Sequence, residues 1–142
     1  MRLARGAVLP FVLFLAGTGA ALAESPVGFW TDQVFLEPKL DLGATQKICF
    51  KADHTWYSTT ATSFRGGWFN EGDGLRWYGP GSFTAIANAD QFITKKLITG
   101  TFDEFRLSDG KTLNSGTSVL TFASATCPPP PTSAGTAGAF SK

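Results

Sequence analysis

From residue 24 onward, short apolar runs alternate with turn-forming residues, and this pattern predicts an all-β domain. The runs are rich in Phe, Trp, Tyr, Thr, Ile and Val, which favour the pleated surface of a strand. No useful stretch repeats apolar residues at helical spacing. The predicted strands are Gly28–Phe35, Gln46–Lys51, Thr55–Thr60, Gly67–Asn70, Leu75–Tyr78, Ser82–Ala87, Phe92–Leu107 (with a break near Lys95) and Ser118–Ser124. Their regular spacing favours a small antiparallel up-and-down β-barrel of about eight strands.

Glycine, asparagine and aspartate mark the turns expected between these strands. The turn signals lie at Asp53-His54, Gly66-Gly67, Glu71–Gly74, Gly79–Gly81, Asn88–Asp90 and Ser108–Gly110. Two longer loops, 36–45 and 59–66, are predicted to connect the early strands and to cover part of the sheet.

The N-terminal segment, residues 1–23, has a different pattern. Arg2 and Arg5 precede an apolar run, and small residues then lead up to Ala23. This order is typical of a secretory signal peptide, with cleavage expected between Ala23 and Glu24. The apolar run is about half the ~20 residues that a membrane-spanning helix needs. The sequence therefore predicts a periplasmic or secreted protein with no stable membrane insertion after cleavage.

Residues 24–127 form the predicted β-barrel domain, and residues 128–142 form a tail of different composition. The tail begins with four prolines and continues in Thr, Ser, Ala and Gly. It has too little apolar surface to order itself, so we expect it to be disordered.

Charge argues against nucleic acid as a partner. Once Arg2 and Arg5 leave with the signal peptide, acidic residues outnumber basic ones by one, and Lys95-Lys96 is the single adjacent basic pair. The electrostatic footprint of a nucleic-acid-binding surface is therefore missing.

The two cysteines, Cys49 and Cys127, are an even pair, which predicts a disulfide in an oxidising compartment. Faces alternate along a strand, so Cys49 shares the outward face with Lys47 and Lys51. The bridge would then fasten the end of the chain to the outside of the barrel. Two buried free thiols and a metal pair are the alternatives. Zinc needs more soft ligands than a chain with one histidine offers, so we predict no metal and no cofactor.

Little in the sequence offers catalytic chemistry, and we predict a non-enzymatic protein without catalytic residues. His54 is the only histidine, and it lies in a predicted turn, where a solvated side chain is usual. Asp103 and Glu104 are adjacent on a strand and point to opposite faces, which prevents a shared acid–base role. Glu104 shares a face with Arg106. If that face is interior, the two form a buried polar pair; if exterior, they form an ordinary surface pair.

The aromatic residues are the strongest unexplained signal. Many of them must form the core of so small a domain. Three adjacent pairs are present, Trp56-Tyr57, Trp68-Phe69 and Trp77-Tyr78, and neighbours on a strand face opposite ways. One member of each pair should therefore lie outside the core, where it could belong to a binding patch.

Two short motifs carry a family resemblance. Gly28-Phe29-Trp30 resembles the Gly-x-Trp motif of the first strand of lipocalins, and avidin-type barrels begin similarly. Ile98–Phe102 resembles a late avidin strand in which Thr-Gly precedes an aromatic. In lipocalins a late arginine packs across the first tryptophan, and Arg106 would correspond to it. The resemblance implies a small up-and-down barrel and does not identify a ligand.

Two functions follow as hypotheses, both for an exported binding protein. In the first, the barrel is lipocalin-like and binds a small apolar ligand in a cavity lined by aromatics. In the second, a periplasmic inhibitor or immunity-type protein has a filled core and binds a protein partner through an exposed patch around Trp68 and Trp77. The candidate ligand- or partner-binding residues are Trp30, Trp56, Tyr57, Trp68, Phe69, Trp77, Tyr78 and Arg106.

Overall fold

Eight antiparallel strands close into an up-and-down barrel, as the sequence predicts. A computed structural model describes residues 24–132; the predicted signal peptide and residues 133–142 of the predicted tail lie outside the described residues. The strands are β1 (Gly28–Leu36), β2 (Asp41–Phe50), β3 (Thr55–Ser58), β4 (Arg65–Glu71), β5 (Gly74–Pro80), β6 (Thr84–Thr94), β7 (Leu97–Arg106) and β8 (Thr112–Ser124). Each strand pairs with the next, and β8 pairs with β1, which closes the barrel. Residues 24–132 contain no helix long and apolar enough to cross a membrane.

Antiparallel connections alternate between the two ends of this barrel. The β2–β3, β4–β5 and β6–β7 turns lie at the end where β1 begins, which we name the Trp30 end. The four other hairpin connections lie opposite, at the Arg106 end. Trp30 itself donates a hydrogen bond from Nε1 to the carbonyl oxygen of Pro26, over 2.7 Å. Its ring also packs edge-on against Phe122.

Two of the predicted turns are wrong, because each is part of a strand. Gly66 lies in β4, where a Cβ would come within 1.9 Å of the carbonyl oxygen of Tyr78 on β5. Glycine at this position permits a close approach of two strands rather than a reversal of the chain. Residues 88–90 lie in the middle of β6, and the side chains of Asn88 and Asp90 are buried.

The loop predicted at 36–45 is also shorter than expected. Strand β1 continues to Leu36 and β2 begins at Asp41, so the turn comprises 37–40 and the two strands form a long hairpin. A bulge between Val34 and Phe35 interrupts their pairing. This segment therefore extends the barrel wall and does not cover the sheet.

Side chains that point inward along the strands form an aromatic cluster and, beside it, an acidic cluster. The members of the aromatic cluster are Trp30, Phe50, Trp56, Trp68 and Trp77, packed with Ile48, Phe64, Leu75, Ile86, Ile98 and Leu120. The members of the acidic cluster are Asp32, Gln46, Asn88, Asp90 and Ser118, all buried.

A disulfide joins Cys49 on β2 to Cys127 after β8, which confirms the predicted bridge. Cys49 does not belong to the core cluster, although it is completely buried. It faces outward, as the alternation in β2 predicts, and the segment that it ties down covers it. Beside it, the Tyr57 hydroxyl donates a hydrogen bond to the carbonyl oxygen of Pro128. The Cys49–Cys127 disulfide is expected to form in an oxidising, extracytoplasmic compartment.

Candidate functional site

The three adjacent aromatic pairs divide between the two faces of the barrel wall. Trp56, Trp68 and Trp77 point inward and are buried. Their neighbours point outward: Phe69 is 45% exposed, Tyr78 is 56% exposed, and Tyr57 lies under the C-terminal segment. Trp68 and Trp77 are therefore not themselves exposed, and the exposed rings beside them belong to the residues that follow them in sequence.

The tryptophans are held inside by hydrogen bonds as well as by packing. The indole Nε1 of Trp56 donates to the carbonyl oxygen of Tyr78, and that of Trp68 donates to the carbonyl oxygen of Lys51, each over 2.9 Å. A buried indole N–H is costly unless it has a partner, and these indoles have one. Together with Trp30, they stabilise the barrel from within.

The aromatic rings pack closely in the middle of the barrel. The ring centroids of Trp56 and Trp77 are 4.8 Å apart, and those of Phe50 and Trp77 are 5.5 Å apart, in edge-to-face arrangements. In a carrier barrel, this is the space that an apolar ligand would occupy. Here large side chains occupy it.

The acidic cluster has carboxyl groups but no cation. Asp90 accepts hydrogen bonds from Nε1 of Trp77 at 2.6 Å and from the Ser118 hydroxyl at 2.7 Å. Burial raises the pKa of Asp90 to about 6, although these two bonds and the charge of Arg76 lower it in part.

Asp32 is the more strongly perturbed carboxyl of the cluster. Burial raises its pKa to about 7; the hydrogen bond from Gln46 lowers it in part, and the charge of Asp90 raises it further. Oδ1 of Asp32 and Oε1 of Gln46 have no hydrogen-bond partner among the described residues. Both orphan atoms are acceptors, so a proton on Asp32 relieves the shortage of donors.

Glu104 faces the interior and is almost completely buried, which settles the face of β7 on which it lies. Its carboxylate accepts a hydrogen bond from Nδ2 of Asn114 at 2.6 Å. Arg106 instead forms an exposed ion pair with Asp109 at 3.0 Å. The buried Glu104–Arg106 pair is therefore a wrong expectation, because the last residue of β7 reaches solvent at the end of the barrel.

The role that the lipocalin resemblance gives to Arg106 is also wrong. Arg106 ends β7 at the Arg106 end of the barrel, whereas Trp30 lies near the start of β1 at the opposite end. There, the Trp30 side chain donates a hydrogen bond to Pro26 and packs against Phe122.

A groove that we name the alanine groove crosses the outside of β4 to β7, with a volume of about 440 Å³. Its shape follows from the strand register, which aligns two outward rows: Phe69, Arg76, Ala89 and Thr101 in one, and Gly67, Tyr78, Ala87 and Asp103 in the other. The large rings of Phe69 and Tyr78 therefore stand beside the small side chains of Ala87 and Ala89. Arg76, between Phe69 and Ala89, is paired with Glu71 over 2.6 Å.

A second groove, which we name the proline groove, lies where the C-terminal segment crosses β3 and β4. Its volume is about 290 Å³, and Tyr57, Arg65, Pro130 and Pro131 are among the residues that line it. The first residues of the predicted tail thus lie against the barrel. Burial raises the pKa of the Tyr57 hydroxyl, which keeps it protonated as a donor to Pro128.

His54 lies in the β2–β3 turn with a positive φ of 64°, at the Trp30 end. Its ring stacks on Trp68 with centroids 4.3 Å apart, and its Nδ1 lies 3.3 Å from the carbonyl oxygen of Trp68. The side chain is exposed, and its contacts close the turn over the core.

Near His54, Lys51 and Asp53 form an exposed ion pair at 2.7 Å, which lowers the pKa of Asp53 and raises that of Lys51.

Residues 24–132 contain no group of three or more His, Cys, Asp or Glu side chains placed to hold a metal ion. No protein-family model matches the chain, and no curated protein matches it significantly. The chain is a small, disulfide-bonded β-barrel with a buried aromatic cluster and grooves on its exterior, an architecture consistent with a binding protein.

Proposed function

We propose that this protein is a non-enzymatic, exported binding protein whose protein partner docks on the alanine groove. The observation that carries the proposal is the pair of half-exposed rings, Phe69 and Tyr78, beside a floor of alanines. Aromatic side chains next to a depression are typical of the centre of a protein interface.

The charges at this groove are compatible with such a role. Arg76 stands between Phe69 and Ala89 and is neutralised by Glu71, and Asp103 lies beside Ala87. A partner would therefore meet aromatic rings and alanines together with paired charges, a mixture that is ordinary at protein interfaces.

The interior supports the other hypothesis, a small apolar ligand, less well. A carrier needs an open cavity of about 300 Å³ or more for a drug-sized molecule. Trp56 and Trp77 pack directly against each other in the middle of the barrel, and Asp32 and Asp90 bring carboxyl groups into the same interior.

A capture experiment tests the proposal. The oxidised protein is immobilised and exposed to the exported proteins of its native organism, in parallel with the double variant Phe69→Ser/Tyr78→Ser. A matched control, Phe83→Ser, removes a ring that is 73% exposed in the β5–β6 connection, away from the groove. We expect a protein that binds the wild type and the control but is lost with the double variant.

Equal capture by all three proteins would contradict a role for the groove. The carrier hypothesis is tested on the same preparation, by organic extraction and mass spectrometry of the purified protein. A stoichiometric apolar molecule in the extract would replace our proposal with the carrier function.

A further inference from the structure

We propose that the proline groove is a second binding site, which takes a small planar organic anion such as an aromatic carboxylate. This site is separate from the alanine groove and does not depend on the partner proposed there. The disulfide and the C-terminal segment build it, and its shape and charge indicate its ligand.

The groove is built on fixed elements. The disulfide holds Cys127 against β2, and the Tyr57 hydroxyl holds the next residue, Pro128, against β3. These two attachments set the course of the chain just before Pro130 and Pro131, which form one wall. Proline rings have a fixed backbone φ, so the wall loses little conformational entropy when a ligand binds.

The walls suit a flat, apolar ring. Tyr57, Pro130 and Pro131, which all carry rings, line the groove. Its volume of about 290 Å³ is at the small end of ligand pockets, which range over roughly 300–1,000 Å³. A ligand of one or two fused rings matches this size.

The positive charge in the groove favours an anionic ligand. Arg65 lines it, is exposed, and forms no ion pair with any described residue, whereas Lys51 is paired with Asp53. A guanidinium binds a planar carboxylate through two parallel hydrogen bonds.

The alanine groove provides the contrast that makes this charge informative. Its arginine, Arg76, is also on an outward strand position but is paired with Glu71. An anion therefore finds an uncompensated guanidinium at Arg65 and a neutralised one at Arg76. Charge complementarity assigns the anionic ligand to the proline groove.

Titration with 2-naphthoate, followed by ¹H–¹⁵N NMR of the oxidised, full-length mature chain, tests this site. We expect chemical-shift changes centred on the amides of Tyr57, Arg65 and Gly66. Arg65→Gln should weaken binding about tenfold or more, because a charged hydrogen-bonding partner is lost. The matched control Arg76→Gln should bind naphthoate as the wild type does.

Two further arms separate charge from shape. The neutral analogue 2-naphthalenemethanol should bind the wild type about tenfold more weakly than naphthoate, and Arg65→Gln should remove this difference. The double variant Pro130→Ala/Pro131→Ala, which leaves the strands intact, should weaken naphthoate several-fold.

Three results would overturn the proposal: shift changes centred on Tyr78 and the alanine groove, unchanged affinity in Arg65→Gln, or equal affinity for the charged and neutral probes. Each is independent of whether a protein partner is found for the alanine groove. Dispersed NMR spectra of the variants show that they remain folded.

Discussion

The two clusters inside the barrel both occupy inward positions on the strands, yet they depend on opposite physical effects. The aromatic cluster stabilises the folded state because rings such as Trp56 leave water and pack edge to face. The acidic cluster destabilises the folded state when Asp32 leaves water, unless the carboxyl group keeps its proton. An inward strand position therefore specifies burial but does not specify apolar chemistry.

The clusters meet at the side chain of Trp77. Its ring packs against Phe50 and Trp56, and its Nε1 donates a hydrogen bond to Asp90. This residue makes the comparison testable, because changes on either side of it should affect stability in different ways.

The largest effect is expected from truncation within the aromatic cluster. Trp56→Ala should lower the free energy of unfolding by about 3–5 kcal/mol, since it removes a buried ring and leaves a cavity. Urea denaturation of the oxidised protein measures the loss. Phe83→Ala, which shortens an exposed ring, should change stability by less than about 0.5 kcal/mol. A similar loss in both variants would mean that burial of Trp56 is not the source of stability.

A pH-dependent effect of comparable size is expected from the acidic cluster. The pKa of Asp32 is raised to about 7 in the folded state from 3.8, so the folded protein holds a proton that the unfolded chain releases. Stability should therefore be greatest at acidic pH, fall as the pH rises from about 4 to about 7, and level off above that. Each unit of pKa difference contributes about 1.4 kcal/mol to the fall.

Asp90, whose pKa is raised to about 6, should contribute a smaller fall of the same sign. Asp32→Asn should therefore remove the larger part of the fall and be more stable than the wild type at pH 8 by a few kcal/mol. Urea denaturation at pH 5 and pH 8 measures both quantities. Asp41→Asn, which replaces an exposed carboxyl on β2, serves as the matched control and should retain the fall. If Asp32→Asn retained it as well, another group would account for the pH dependence.

The smallest of the three effects is expected where the clusters meet. Trp77→Phe keeps a buried ring but removes the donor to Asp90, which should cost about 1–3 kcal/mol at pH 8. The cost should decrease at acidic pH, where Asp90 is protonated. A double-mutant cycle with Asp90→Asn measures the coupling energy. Zero coupling would show that the two clusters are energetically independent.

The sequence predicted the parts of this fold that depend on alternation and composition. The outward face of Cys49 and the opposite faces of Trp77 and Tyr78 follow from a period of two. The bridge to Cys127 follows from the even number of cysteines. The closed antiparallel barrel follows from the succession of short apolar runs, although the boundary predicted at 88–90 lies inside β6.

The turns that were predicted inside strands have a common physical cause. Local composition does not reveal which groups face a residue across the sheet. Asn88 and Asp90 have the composition of a turn, but they are polar because they face the acidic cluster. Gly66 is a glycine because of the carbonyl oxygen of Tyr78 on the neighbouring strand. Which ring of an aromatic pair lies outside is likewise decided by strand register.

The hydrogen bond from Trp56 to the carbonyl oxygen of Tyr78 joins the core to the alanine groove through the barrel wall. The backbone that carries one of the two docking rings is therefore anchored from the inside, and this part of the surface is organised before any partner arrives. The same bond places the indole of Trp56, an intrinsic fluorophore, directly against the backbone of the docking surface. Occupancy of the groove should consequently be readable from tryptophan emission, without any label attached to the protein.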